Sequence, residues 1–174
     1  FAQEVVELAK SLLGKIIVRI LPTGETIKVM IVETEAYKAP LDKACHAYNN
    51  KKTDRTKYFW LDGGHLYIFS IYGKNNCMNI VAADKTSPEA VLLRAVEPVE
   101  GLEIIKKNRS INSKKNKELT NGPAKITKAI LIDKEFNGYD MRKKDSEIYL
   151  VERKGYIFKT INNSSVMKLS LCMI

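Results

Sequence analysis

Histidine and cysteine are scarce in this chain, with two of the first and three of the second. None of them stands in C-x-x-C, H-E-x-x-H or paired metal-ligand spacing, so neither a zinc site nor a disulfide framework is expected. The odd count of Cys45, Cys77 and Cys172 suits a reducing compartment. Long apolar runs are lacking too. The most apolar early stretch, Ser11 to Leu21, is broken by Lys15 and Arg19 and leads into polar sequence without a small-residue cleavage site. No signal peptide and no membrane span are therefore expected. No G-x-G-x-x-G, Walker loop or G-x-S-x-G occurs, which leaves no motif for a dinucleotide, a nucleotide phosphate or a serine nucleophile. The expectation is an absence of both cofactor and metal.

Basic charge is what the sequence does have. Lysine and arginine number 29 against 20 acids in 174 residues, giving a formal net charge of +9 and a pI near 9.4. Such a balance points to a polyanionic partner, nucleic acid first. With 45% hydrophobic residues and no repeat or low-complexity segment, one domain is the economical reading.

Val5, Leu8, Ala9, Leu12 and Leu13 recur at helical spacing before Gly14, which predicts a first amphipathic helix. Two β-branched runs, Lys15 to Ile20 and Glu25 to Tyr37, flank Leu21-Pro22-Thr23-Gly24 and predict a hairpin. On its second strand, alternation puts Ile27, Val29, Ile31, Glu33, Glu35 and Tyr37 on one face. Lys38 to Lys57 reads as a loop ending in a basic run. A second hairpin follows, His65 to Tyr72 and Cys77 to Ala83, turning at Gly73 to Asn76, and then a short strand from Val91 to Ala95. After Pro98 come a helix from about Glu100 to Asn108, a lysine-rich connector from Arg109 to Lys117, a helix from Pro123 to Leu131 entered through Asn121 or Gly122, and a strand from Ile148 to Val151. The expected fold is α+β, a single mixed domain around a curved, mainly antiparallel sheet with flanking helices.

The residue types offer one candidate centre. Glu35 is a carboxylate on a half-buried strand face, Tyr37 lies two residues on, and the aromatic hairpin Tyr67, Phe69 and Tyr72 is near in sequence. A carboxylate beside apolar groups has its pKa pushed toward the range of a general base unless a cation such as Arg94 offsets it. The plainer alternative treats Glu33 and Glu35 as solvated charges on an edge strand and the aromatics as core.

The segment Ile31-Val32-Glu33-Thr34-Glu35-Ala36-Tyr37, followed by Asp42-Lys43-Ala44-Cys45-His46, resembles the alkyladenine (3-methyladenine) DNA glycosylase family. The likeness continues through Gly64 to Gly73, Cys77-Met78-Asn79-Ile80, Val91 to Pro98 and Asn121-Gly122-Pro123-Ala124-Lys125, so that roughly residues 5 to 153 look collinear with the family. The resemblance implies a monofunctional enzyme of base-excision repair. Such an enzyme flips an alkylated or deaminated purine (3-methyladenine, 7-methylguanine, hypoxanthine or ethenoadenine) out of duplex DNA and hydrolyses its N-glycosidic bond, leaving an abasic site.

By the same resemblance Glu35 is the general base that deprotonates water, and Arg94 helps hold that water and the local charge. Tyr37 and His46 line the base pocket, Phe69 stands where the family has a stacking tyrosine, and Leu92 is at a wall position. Asn79 matches the asparagine that blocks the exocyclic amino group of guanine, and Tyr72 matches the residue that wedges into the minor groove. Lys51, Lys52 and Arg55, in the basic run, are expected to reach the phosphate backbone. No lysine has a motif for a Schiff base, so strand cleavage is not expected.

From about residue 154 the chain departs from the family pattern. Lys159 to Ile174 does not resemble the glycine-containing, basic segment from which the family takes a backbone carbonyl at the water site. The expectation is one glycosylase-like domain over 1–174 with an atypical or truncated C-terminal segment, acting as a monomer on double-stranded DNA. Its compartment would be intracellular, the nucleus in a eukaryote and the cytoplasm or nucleoid in a bacterium. Two other readings remain open at this point: a non-catalytic DNA-binding remnant of the same fold, and a hydrolase of small nucleosides.

Overall fold

A computed structural model describes residues 1–111 and 116–152, save the side chain of residue 117, together with the backbone of 158–163 and 166–171. Part of the expected connector, residues 112–115, and Cys172 lie outside the described residues.

Helix α1 (Val5–Leu12) buries Val5, Leu8, Ala9 and Leu12, and Gly14 follows at φ 82°, a conformation that only glycine adopts without strain. Strands β1 (Ile16–Ile20) and β2 (Thr26–Lys38) form the first hairpin, while β3 (Leu66–Ile71) and β4 (Asn75–Val81) form the second. Strand β5 (Glu89–Glu100) is much longer than the expected 91–95. Helices α2 (Leu102–Arg109), α3 (Lys117–Thr120) and α4 (Pro123–Ala129) come next, then β6 (Ile148–Val151), β7 (Phe158–Asn163) and β8 (Val166–Leu171). The sheet order is β3-β4-β5-β2-β1-β6, and these neighbours pair antiparallel. This is the expected α+β class.

The long β2 has two partners along one edge. Its first half pairs with β1 up to Met30, and further along Glu33, Thr34 and Glu35 stand opposite Lys168, Met167 and Val166 of β8, itself the hairpin partner of β7. The segment beyond residue 154 therefore lends backbone to the sheet beside Glu35.

One expectation fails instructively. In β2 the pairing with β5 slips three times, between Lys28 and Val29, between Ile31 and Glu33 and again between Glu33 and Thr34, and at the last two Val32 and Arg94 each lack a direct partner across the β2–β5 pair. Such bulges reverse the alternation of faces. Ile27, Val29 and Ile31 join the main core under α1, but beyond the bulges it is Thr34 and Ala36 that continue toward α1: the Thr34 hydroxyl donates to the Ala9 carbonyl at 3.1 Å. Glu35 and Tyr37 are turned to the opposite face, so the six residues expected on one face are divided between two.

The main core lies between the helices and one sheet face and includes Leu8, Ile17, Ile31, Ile68, Met78, Leu93, Ile105 and Ile126. Each such side chain, taken out of water, stabilises the fold by about 1.5–3 kcal/mol. A smaller cluster of Ala39, Cys45, Ala47, Phe59, Tyr67, Val81 and Ala90, flanked by Tyr37, Trp60 and Phe69, sits on the other face beneath the 38–60 segment. That segment is partly ordered into short 3₁₀ turns at Tyr48–Asn50 and Lys57–Trp60.

Candidate active site

The second face carries a row of residues in direct cross-strand register. Glu35 on β2 faces Leu92 on β5, Leu92 faces Asn79 on β4, and Asn79 faces Tyr67 on β3. Directly opposed residues share a face, so a carboxylate, an apolar side chain, an amide and a phenol line up across four strands.

Both oxygens of Glu35 are engaged. The Tyr37 hydroxyl donates to Oε2 at 2.6 Å, and Arg94 Nε stands 3.2 Å from Oε1. The Glu35 side chain is only 14% exposed. The cation named as a possible offset to desolvation is thus in contact, two residues along β5 from Leu92 and on the same face. Burial, and then its bond to Glu35, hold the Tyr37 phenol well above the usual range.

Next to this pair lies a cleft with about 60 Å³ of free space, lined by Tyr37, Ala44, His46, Phe59, Tyr67, Phe69 and Asn79. Its walls are aromatic: His46 meets Phe69 edge-on with centroids 4.5 Å apart, and Tyr67 lies nearly parallel to Phe69 at 5.7 Å. Polar groups are few and fixed. Asn79 Nδ2 donates to the Tyr67 carbonyl at 3.0 Å, and His46 Nδ1 is 3.0 Å from Tyr67 Oη. Burial, with Arg55 adding to it, lowers the His46 pKa. Cys77, two residues before Asn79, is buried, and desolvation pushes its thiol up to about 11. Aromatic walls with an amide and an imidazole at the edge are the chemistry that recognises a flat heteroaromatic ring, by stacking and by hydrogen bonds in its plane. Among the described residues no group of three or more His, Cys, Asp or Glu side chains is placed to hold a metal ion.

The family model described as methylpurine-DNA glycosylase matches residues 1–167 of this chain. The chain belongs to the methylpurine-DNA glycosylase family. It is therefore a DNA glycosylase, a hydrolase of N-glycosyl bonds acting on DNA. Relatives that carry 3-methyladenine DNA glycosylase in their names include one from Natranaerobius thermophilus, 48% identical over 150 residues, covering 86% of this chain and 75% of that protein. Another, from Clostridium novyi, is 45% identical over 160 residues, covering 88% of this chain and 78% of its own. A third, from Clostridioides difficile, is 45% identical over 143 residues, covering 79% and 70%. No described helix of this glycosylase is long and apolar enough to cross a membrane.

Of the residues singled out from sequence, Glu35, Arg94, Tyr37, His46, Phe69, Asn79 and Leu92 come together on this face of the glycosylase. Arg55 joins them, its guanidinium carbon 5.5 Å from the Phe69 centroid. Lys51 and Lys52 are exposed on the covering segment, with Lys52 Nζ 5.4 Å from the Trp60 centroid. Tyr72 stands apart at the tip of the β3–β4 turn, 93% exposed and at φ 51°. Strand alternation does not describe it, because the turn runs from Tyr72 to Lys74 and Asn75 already pairs with Ile71.

Sequence reasoning overlooked Tyr67 as the partner of His46, and Phe59 and Ala44 as walls. It also missed Glu89, a buried carboxylate whose Oε2 accepts from the Val5 amide at 3.0 Å and so fixes the start of α1. Period-two alternation with Phe69 was the available signal for Tyr67. None marked Glu89.

Proposed function

We propose that this glycosylase excises alkylated and deaminated purines, 3-methyladenine, 7-methylguanine, hypoxanthine and ethenoadenine, from duplex DNA by base flipping. The observation that carries the reading is the register of Glu35, Leu92, Asn79 and Tyr67, which sets a carboxylate with two donors at the edge of an aromatic cleft. Extruding a base costs a few kcal/mol, and an inserted side chain offsets part of it. Tyr72, exposed at a hairpin tip, supplies that wedge. The flipped purine stacks against Tyr37 and Phe69, and His46 bonds its edge. Asn79 rejects guanine by blocking its amino group.

Chemistry follows at the sugar. Glu35 takes a proton from water as the oxygen bonds to C1′, the C1′–N bond breaks, and its electron pair leaves with the purine, giving a free base and an abasic site. Arg94 and Tyr37 hold the carboxylate in orientation, and Arg94 balances its charge. General-base help of this kind is worth about 10²- to 10⁴-fold. The protein acts as a monomer, and Lys51 and Lys52 hold phosphates. A binding-only remnant is disfavoured by the pairing of β8 with β2 at Glu35, where the family draws on C-terminal backbone.

The test is release of each of the four bases from defined duplexes under single-turnover conditions, beside the matching nucleosides. Release from duplex and not from nucleoside is expected. Equal rates on both would favour a nucleoside hydrolase and overturn the reading.

A further inference from the structure

Arg55, from the segment over the cleft, contacts two of the residues that line it. Its guanidinium carbon is 5.5 Å from the Phe69 centroid, and its Nη2 is 3.3 Å from His46 Nε2. A guanidinium only donates. His46 Nε2 is therefore the acceptor, the ring is neutral, and Nδ1 carries the proton that it donates to Tyr67 Oη at 3.0 Å. A planar group over the Phe69 ring with an N–H toward His46 is also what a flipped purine with an exocyclic amine would present.

We propose that Arg55 stands in for the base in the free protein, and that the cleft admits a purine only when a DNA phosphate draws this guanidinium away. The residue would then select the class of substrate: a base carried by a polynucleotide, and not a free base or nucleoside. This rests on the reading of the cleft as the base pocket.

Two features make the exchange feasible. The backbone around Arg55 is anchored, because Thr53 and Thr56 exchange hydrogen bonds between amide and hydroxyl, the Thr56 hydroxyl also donates to the Lys51 carbonyl at 2.8 Å, and Thr56 is 4% exposed. Movement is thereby confined to the arginine side chain. Arg55 itself is exposed and shares its segment with the exposed Lys51 and Lys52, so a phosphate lies within reach once DNA binds. A bidentate arginine–phosphate contact is stronger than one long neutral-acceptor bond and a solvent-exposed cation–π contact.

The experiment compares wild type with Arg55→Met, which keeps the length of the side chain and removes its charge and donors. Affinity for free 3-methyladenine is measured by calorimetry, and affinity for a lesion duplex by anisotropy. Loss of one cation–π contact and one hydrogen bond from the competing state should tighten free-base binding about tenfold, while duplex binding weakens. Opposite signs for the two ligands are the signature. Duplex binding that weakens with no gain for the free base would make Arg55 a phosphate contact only, and weakening of both would make it a recognition residue; each overturns the inference. If Arg55→Met does not fold, Arg55→Gln is used, with the same pair of signs expected. Should neither wild type nor variant bind the free base, and wild type release no base from duplex, the base-pocket reading falls and the inference with it. Normal excision from duplex by wild type with no free-base gain in the variant would sink the inference alone.

Discussion

Substitution of Asn79 by alanine separates selectivity from stability in one protein. The Asn79 side chain is 3% exposed, and its amide is pinned by donation to the Tyr67 carbonyl across the β3–β4 pair. Pinned in this way it cannot rotate aside for an incoming amino group, which is what a selective gate requires. Truncation to alanine forfeits about 0.5–1.5 kcal/mol for the hydrogen bond and leaves a small void, so a total loss of about 1–2 kcal/mol is expected. At this chain length about 2–4 °C is lost per kcal/mol, and the melting midpoint should fall by about 2–8 °C. Glycine would open the gate as well but would add about 0.5–1 kcal/mol of strand destabilisation, which makes alanine the cleaner choice. The selective penalty removed is of the size that one steric mismatch supplies, about 10- to 200-fold. The assay is single-turnover release of guanine from a G·T mismatch beside release of 3-methyladenine from the same duplex context. Guanine release should rise by one to two orders of magnitude, as estimated from that penalty, with 3-methyladenine release little changed. A folded Asn79→Ala protein that still excises 3-methyladenine and gains nothing on guanine would refute the gate.

Neutralising Lys51 and Lys52 should weaken damaged and undamaged duplex binding alike and flatten the salt dependence by up to about one unit per lost phosphate contact; a titration at several salt concentrations reads the slope, and an unmoved slope marks a solvated surface. Tyr72→Ala should leave stability within about 0.5 kcal/mol of wild type, because the side chain is almost wholly exposed, and should slow excision from duplex far more than from a lesion in a single strand; equal effects on the two would remove the wedge. His46, whose pKa is depressed below its ordinary 6.5 mainly by burial, contributes stability that is present above pH 6.5 and lost as pH falls through the folded value. Wild type should therefore lose more melting temperature than His46→Gln between about pH 7 and about pH 5, and parallel curves would contradict this.

Much of the fold can be read from local pattern because local physics decides it. The helical spacing of Val5 to Leu12 and the β-branched runs around Pro22-Thr23-Gly24 mark α1 and the first hairpin within a residue or two. Strand β5 was underestimated because Pro98 argues against a strand interior. In the fold Pro98 sits opposite Val29 beside a register shift, where a missing amide is tolerated. The bulges of β2 and β5 escaped notice because nothing in the alternation of Ile27 to Tyr37 signals them; the need for Thr34 to reach the Ala9 carbonyl is a tertiary demand. The candidate site was legible as residue types through a family resemblance, while the meeting of Arg55 with His46 depends on how the Thr53–Thr56 turn lays a loop over the sheet.

The central claim is that Glu35 activates water for cleavage of the glycosidic bond. Its most direct test is the single-turnover rate of 3-methyladenine release by Glu35→Gln, with Glu33→Gln as the neighbour control and lesion-duplex affinity measured on both. Glutamine keeps the shape of the side chain and cannot take the proton, so the expected result is a loss of about 10²-fold or more in rate at duplex affinity within a few-fold of wild type, with Glu33→Gln active. Undiminished release by a folded Glu35→Gln protein would contradict the account.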